Sequence, residues 1–417
     1  MNFSIVEVYA RVKSINCYTA MKKRIPVLLT ALAVILSAPA QSSSKGTDAN
    51  VPQKIITFVK VKHEPEWYAR QATLWRAVTE REPQNEDAWI NLYHATRYNI
   101  MFTSEDYSPL TNIWQAMQKA VPDTYADYLL TYFHAKFVGL PDKTEEMEKR
   151  SLQNMVKAIR MRPDEVSAYP DYVACLLMTG DEALLEDILH RWYESGTYSA
   201  SLLNYAYNEM IGLPDNALFF TNGDVDTYSK LLLQGGKGLF SGVKVVCIPM
   251  LYSASFRETV CRQLGIPTLE APTATTQEEF DAWQERAEMY LIEKTGRPAY
   301  FYIGERVPSF EDKLYSEGLV YRYSTRRYDN LAVKQQNYEK RYLLDYLYES
   351  FVPETYEASA YRLNLNYIPC LKSLLDWYKQ NDKSRYKELY SMMMTILRRT
   401  ENISNEKRQS YYDEINR

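Results

Sequence analysis

One change of pattern, at Asn216–Ser229 (NALFFTNGDVDTYS), constrains the chain more than any other feature. Ala217–Phe220 is an unbroken apolar run, Asn222-Gly223-Asp224 follows it, and polar and acidic residues come next. An apolar run closed by turn residues reads as a buried strand entering a tight turn and then a helix. Before this stretch the apolar spacing is helical. After it, short apolar runs alternate with helical stretches. The expected fold class is therefore mixed: helical hairpins, then a small α/β domain with a parallel sheet, then C-terminal helices.

The front end has the three regions of a secretory signal. Met21-Lys22-Lys23-Arg24 is a basic cluster, Ile25–Leu36 is almost wholly apolar, and Ala38-Pro39-Ala40 is a small-residue site followed by Gln41-Ser42-Ser43-Ser44. The apolar run is short for a membrane span, and no later stretch reaches about 18 consecutive apolar residues. Residues 1–20 read as an upstream extension. The expectation is an exported, periplasmic chain with no transmembrane span once it is mature. Removing residues 1–40 takes away five basic residues and one acidic one. That leaves 44 basic against 52 acidic, a charge of −8. An acidic chain without a basic stripe is a poor partner for nucleic acid or anionic lipid. Export permits disulfides, but Cys175, Cys247, Cys261 and Cys370 sit inside apolar patterns and read as small buried hydrophobes. A Cys247–Cys261 bridge stays open as an alternative.

The stretch 65–213 is helical. Glu66–Glu80 places Tyr68, Ala72, Trp75 and Val78 on one face, and a second helix begins near Glu86 with Ala88, Trp89, Leu92 and Tyr93 inward. One phrase occurs three times: EPQNEDAW at Glu82–Trp89, VPDTYADY at Val121–Tyr128 and RPDEVSAY at Arg162–Tyr169. Each copy has a proline, then a small Ala and an aromatic at the next helix start. Pro83, Pro122 and Pro163 are 39 and 41 residues apart. The pattern resembles tetratricopeptide-type repeats, with a period longer than the usual ~34 residues. Stacked hairpins of that type offer a concave face for an extended peptide or a partner helix. Trp75, Trp89 and Tyr93 are the candidate partner-binding aromatics.

Strands are expected at Ala217–Thr221, Val243–Ile248, Ala299–Ile303 and Leu319–Tyr323, with helices at Asp226–Leu233, Ser255–Leu264, Thr276–Thr295 and Pro308–Glu317. Alternation of this kind implies a parallel sheet covered on both faces, with ligands beyond the carboxyl ends of the strands. Those ends carry Asn222, Asp224 and Asp226, then Ser253 and Ser255, then Glu305 and Arg306. Asn222, Asp224, Asp226, Ser253, Glu305 and Arg306 are the candidate ligand-binding residues. From 329 the chain returns to helix, at Tyr338–Phe351, Asn366–Tyr378 and Arg385–Arg399. The organisation expected is 1–40 extension and signal, 41–64 linker, 65–213 helical domain, 214–328 α/β domain, 329–403 helical domain and 404–417 a frayed tail.

Asp224-Val225-Asp226 admits three chemical readings. The first is an Asp-x-Asp pair holding a divalent cation against a sugar nucleotide, a compound an exported protein rarely meets. The second is a phosphohydrolase of the haloacid-dehalogenase type, with one Asp as nucleophile and the next but one as general acid. Against it, Asn222-Gly223 separates the first Asp from the strand, and Tyr228 stands where Thr or Val is expected. The third is a structural turn, with an Asp capping the helix that follows. Other chemistry is thin. Gly235-Gly236-Lys237-Gly238 lacks phosphate-loop spacing. His63, His94, His134 and His190 have no paired spacing for metal, and Ser241 completes no nucleophile elbow. No catalytic residue, metal or cofactor is assigned, and the balance leans away from an enzyme.

Four phrases occur in order: NALFFTNGDVDTYSKLLLQ, VKVVCIPMLYS, RPAYFYIG and EGLVYRYS. Together they resemble the soluble extracytoplasmic C-terminal region of bacterial protein O-mannosyltransferase-like multi-spanning membrane glycosyltransferases. Members of that family read Thr-Asn-Gly-Asp-Asn-Asp-Thr-Tyr/Phe after the first strand and carry helical repeats as well. The likeness spans about Pro214–Tyr323, and Val225 replaces the usual Asn. The membrane half, which holds the catalytic acid in that class, has no counterpart here. The resemblance implies a stand-alone accessory or scaffolding protein of the cell envelope. The alternative is a hydrolase or glycosyl-transfer component with a metal or ligand site at Asp224 and Asp226.

Overall fold

The computed structural model describes residues 50–417 apart from 58–59, 62, 105, 139–144, 275, 304–307 and 402. The expected signal peptide lies outside the described residues. Contacts divide the chain into two compact units. One runs to Glu182 and takes in Ser253–Ser255. The other comprises Ala183–Tyr252 and Phe256–Arg417.

The first unit is built from helices α1 (Pro65–Arg81), α2 (Glu86–Thr103), α3 (Pro109–Ala120), α4 (Tyr125–Phe137), α5 (Glu145–Met161) and α6 (Tyr169–Thr179). Each copy of the repeated phrase fills the short turn inside one consecutive helix pair: Pro83 between α1 and α2, Pro122 between α3 and α4, Pro163 between α5 and α6. The local chemistry explains the breaks. Proline cannot continue the preceding helix, and the next helix is capped afresh. The Asn85 side chain accepts from the Ala88 amide at 3.1 Å, and the Thr124 hydroxyl from the Asp127 amide at 3.4 Å. The small residues Ala88, Ala126 and Ala168 are all buried where the helices close on one another.

Hydrogen bonds join these turns side by side. Glu86 Oε2 accepts from the Ala126 amide at 2.9 Å, Glu86 Oε1 pairs with Arg162 Nη2 at 3.1 Å, and Arg162 Nη1 reaches Asp87 at 2.8 Å. The Arg162 guanidinium lies over the Tyr125 ring, 4.4 Å from its centre.

The second unit opens with α7 (Glu182–Glu194) and α8 (Ala200–Met210), which the sequence had grouped with the preceding hairpins. Its sheet has strands β1 (Leu218–Thr221), β2 (Lys244–Cys247), β3 (Ala299–Tyr302), β4 (Leu314–Ser316) and β5 (Val320–Tyr323), in the order β2-β1-β3-β5-β4. Helices α9 (Asp224–Leu231), α10 (Ala254–Leu264) and α11 (Gln277–Thr295) fall between the first three strands. β1 is an interior strand and fully buried. It runs parallel to β2 (Leu218 opposite Lys244) and to β3 (Leu218 opposite Ala299).

The expected all-parallel sheet is corrected here: β5 is antiparallel to both β3 and β4. Pro308–Glu317 is not a helix but a single tight turn, Glu311–Lys313, leading into β4. The β4–β5 hairpin closes at Gly318, whose φ of 112° suits glycine and where a Cβ would collide with the Tyr342 hydroxyl.

The expected helix Tyr338–Phe351 is also absent. Helix α12 (Asn330–Gln336) ends in a wide turn, Asn337–Arg341, after which Tyr342 is extended. The Asn208 side chain then takes both backbone groups of Leu343, accepting from its amide at 2.7 Å and donating to its carbonyl at 2.8 Å. A side-chain amide serving both groups satisfies the backbone without a helix. The remaining helices are α13 (Glu357–Asn364), α14 (Tyr367–Asn381), α15 (Lys383–Arg399) and α16 (Asn405–Asn416). Leu371, Leu374, Leu375, Tyr378, Leu389, Met393 and Ile396 form one buried cluster. The frayed tail is replaced by α16, capped by Ser404 and anchored through buried Ile415. The four described cysteines are free and buried.

Candidate functional site

The sequence singled out the carboxyl ends of the parallel strands. β1 leads through α9 to β2 on one side, and the chain then returns to β3 on the other. The ends of β1 and β3 are therefore where a crevice of this topology opens. Asn222, just past β1, is exposed and donates from Nδ2 to the Tyr302 hydroxyl at the end of β3, at 2.8 Å. Gly223 follows with φ 107°, a conformation glycine adopts without strain, and Asp224 opens α9.

Asp226 does not cap α9 in the expected way: no side chain caps the Gly223 end. Its carboxylate reaches backward instead. Oδ2 accepts from the Asn222 amide at 2.7 Å, and Oδ1 accepts from Lys230 Nζ at 2.6 Å. Lys230 is wholly buried, one helical turn further on. Its ammonium has three donors, and three acceptors meet it: Asp226 Oδ1, the Asp226 carbonyl at 2.9 Å, and Glu209 Oε2 of α8 at 2.5 Å. The Phe219 ring of β1 lies 5.0 Å from the same nitrogen.

Two carboxylates share this one cation. Burial pushes the Glu209 carboxyl up to about 8, against the pull of Lys230 and with a further push from Asp226. For Lys230 burial works to lower the pKa, but Asp226 and Glu209 outweigh it and hold the ammonium above its ordinary value. At neutral pH the cluster therefore keeps a lysine cation against Asp226 while Glu209 tends to hold its proton. Both oxygens of Asp226 are committed to its own chain. A cation entering there would compete with a buried ammonium, and among the described residues no group of three metal-ligating side chains occurs.

Ser253 is buried and clusters with the first unit, where its hydroxyl meets the Glu148 carboxylate. Glu305 and Arg306 lie outside the described residues. The aromatics proposed for partner contact are mostly interior. Tyr93 is fully buried. Trp89 is buried with its indole donating to the Pro83 carbonyl at 2.9 Å. Trp75 is half-buried on the Gln53 carbonyl at 2.9 Å. The apolar periodicity that marked them is the periodicity of core positions. The sequence missed Glu209, because its partner Lys230 lies on a different helix. The Asp226–Lys230 pair was readable as an i,i+4 spacing.

One further concavity, about 170 Å³, lies among Ser201, Tyr346, Ser350, Asn364 and Arg399 of the second unit. Arg399 donates to the Leu347 carbonyl at 3.0 Å and Tyr346 to Asn364 at 2.9 Å, so its walls are polar but largely satisfied. It is smaller than the roughly 300–1,000 Å³ of ordinary small-molecule sites. Phe351 and Val352, next to Ser350 in the chain, are 96% and 61% exposed.

No family model, no curated protein and no solved structure matches the chain. No described helix is long and apolar enough to cross a membrane.

Proposed function

We propose that the protein is an exported cell-envelope scaffold or accessory protein that binds a protein partner through tetratricopeptide-like hairpins and is not itself an enzyme. The observation that carries this reading is the repeated phrase. Its three copies occupy equivalent turns of three successive helix pairs, and Glu86, Ala126 and Arg162 tie those turns together. Helix pairs stacked in this way create a surface longer than a compact helical domain offers, and such surfaces bind extended partners. Exposed Phe351 and Val352 add apolar area to the second unit, as expected of a protein with a protein partner.

The strand-end turn supports the same reading. Asp226 is already bound by Asn222 and Lys230, which favours a structural turn over a metal-dependent transfer or a phosphohydrolase. The likeness of NGDVDTY to the extracytoplasmic module of membrane glycosyltransferases gives the partner a class: an envelope protein of glycan assembly. The runner-up is a ligand or metal site at Asp224 and Asp226. It rests on the exposed Asn222–Tyr302 contact at the mouth of the β1–β3 crevice. Cell fractionation followed by chemical crosslinking of the chain in its native cell tests the proposal. The expected result is a mature chain starting near Gln41 in the periplasm, joined to one envelope protein. A cytoplasmic chain with its first forty residues intact, or divalent-metal binding lost in Asp226→Asn, would move the assignment to the runner-up.

A further inference from the structure

We infer that Arg97 and Tyr93, on the α2 face turned toward α4, form a binding site for one oxyanion group, a carboxylate or a phosphate. Arg97 is buried to 8% exposure, yet among the described residues no acidic side chain pairs with its guanidinium and no hydrogen bond engages it. Its neighbours are rings. The guanidinium carbon lies 4.6 Å from the Tyr98 ring centre, 5.2 Å from Phe133 and 4.3 Å from Phe137. Stacked rings attract the cation through their faces. They cannot accept the five N–H donors, which lie in the guanidinium plane. A guanidinium held only by rings has no protein partner along its hydrogen-bonding edge, and that edge is open to a ligand acceptor.

A second, independent observation falls on the same helix face. The Tyr93 hydroxyl, four residues before Arg97, and His94 Nδ1, three before, are both fully buried and lack hydrogen-bond partners. Burial, and then the nearby Arg97 charge, push the His94 imidazole well below its ordinary value, so the ring is neutral and Arg97 carries the charge. Lys136, which also faces the Phe137 ring at 5.6 Å from its centre, already pairs with Asp171 at 3.5 Å. None of the Arg97 nitrogens is among the fully buried unpartnered atoms, so the guanidinium edge meets solvent and a ligand can reach it. A planar fork of donors in a low-dielectric surround suits bidentate capture of a carboxylate or phosphate, with the Tyr93 hydroxyl as an added donor. A single cation in a chain of net charge −4 suits one anionic group and not a polyanion.

The inference does not depend on the scaffold reading, and titrating the full-length protein with acetate and with inorganic phosphate at constant ionic strength tests it. Calorimetry should give saturable binding of at least one anion, and the two arms show whether a carboxylate or a phosphate is preferred. Arg97→Gln should weaken binding about tenfold or more. Tyr93→Phe, which keeps the ring and removes only the hydroxyl, should weaken it less while leaving circular dichroism unchanged. If Arg97→Gln does not fold, Tyr93→Phe and Arg97→Lys decide. The site is wrong if the wild type binds neither anion saturably, or if folded variants at Arg97 and Tyr93 bind as the wild type does.

Discussion

Arg162 Nη2 lies 3.1 Å from Glu86 Oε1, and the other oxygen of the same carboxylate accepts the Ala126 amide at 2.9 Å. One glutamate thus joins the turns of all three helix pairs of the first unit. The Glu86 and Arg162 side chains are 25% and 32% exposed, so the contact is partly shielded from water. Glu86→Ala should destabilise by about 1–2 kcal/mol, since it removes an ion pair and leaves a backbone amide without its acceptor. Asp87→Ala touches the same arginine, but the Asp87 side chain is 70% exposed, so it should cost under about 0.5 kcal/mol. Urea unfolding of the two variants checks the contrast. Equal losses would mean that Glu86 has no special part in joining the turns.

Lys230 is a stability hinge of the second unit. Lys230→Met leaves Glu209 and Asp226 facing each other without their cation, and should cost about 3–5 kcal/mol. Lys230→Met with Glu209→Leu also removes the buried carboxyl that has lost its donor, and should regain much of that loss. Thermal unfolding of single and double variants reads the difference. A double variant no more stable than the single one would show that the lysine does not act through Glu209.

Glu209 makes stability depend on pH in a direction that can be worked out. Its folded carboxyl titrates at about 8 and its ordinary value is 4.5. Between these values the folded chain holds a proton that the unfolded chain has lost, so this group stabilises the fold at low pH and stability falls as pH rises through the window. The slope approaches about 1.4 kcal/mol per pH unit when a full proton separates the states. The raised Lys230 value acts only above the ordinary lysine range. Glu209→Gln should flatten the pH 5–8 profile of the urea midpoint. An unchanged slope in the variant would assign the dependence to other groups.

Asp226→Asn should lower the unfolding midpoint, because the amide pairs less well with Lys230 and holds the Asn222 amide less firmly. Two weakened charge-assisted bonds correspond to about 1–3 kcal/mol. Calorimetry with magnesium and manganese should show no saturable binding to the wild type. Saturable binding lost in the variant would restore the Asp-x-Asp reading.

Much of the secondary structure was legible because it is written in local chemistry. The apolar runs at Leu218–Thr221 and Lys244–Cys247, the Thr276–Glu279 capping box of α11 and the recurring prolines each act within a few residues. What was not legible depends on distant partners. Tyr338–Phe351 has helical spacing, but Asn208, 135 residues upstream of Leu343, holds that backbone extended. β4 is three residues long and exists only because β5 pairs with it. At the candidate site Asn222 and Asp226 were found, because a turn after a strand is a local signal. Glu209 was not, because its partner Lys230 lies on another helix, and the Arg97 cluster was not, because burial without a partner is a property of the packed chain.

Site-specific photo-crosslinking in the native cell is the most direct test of the scaffold proposal. Probes would replace exposed Arg76 and Met161 of the hairpin unit, with exposed Lys387 on α15 as the control. The proposal predicts an adduct with one envelope protein from at least one hairpin position, absent from the control and weakened by Glu86→Ala. Hairpin positions that give no adduct above the control, in cells where the chain is exported and folded, would contradict it.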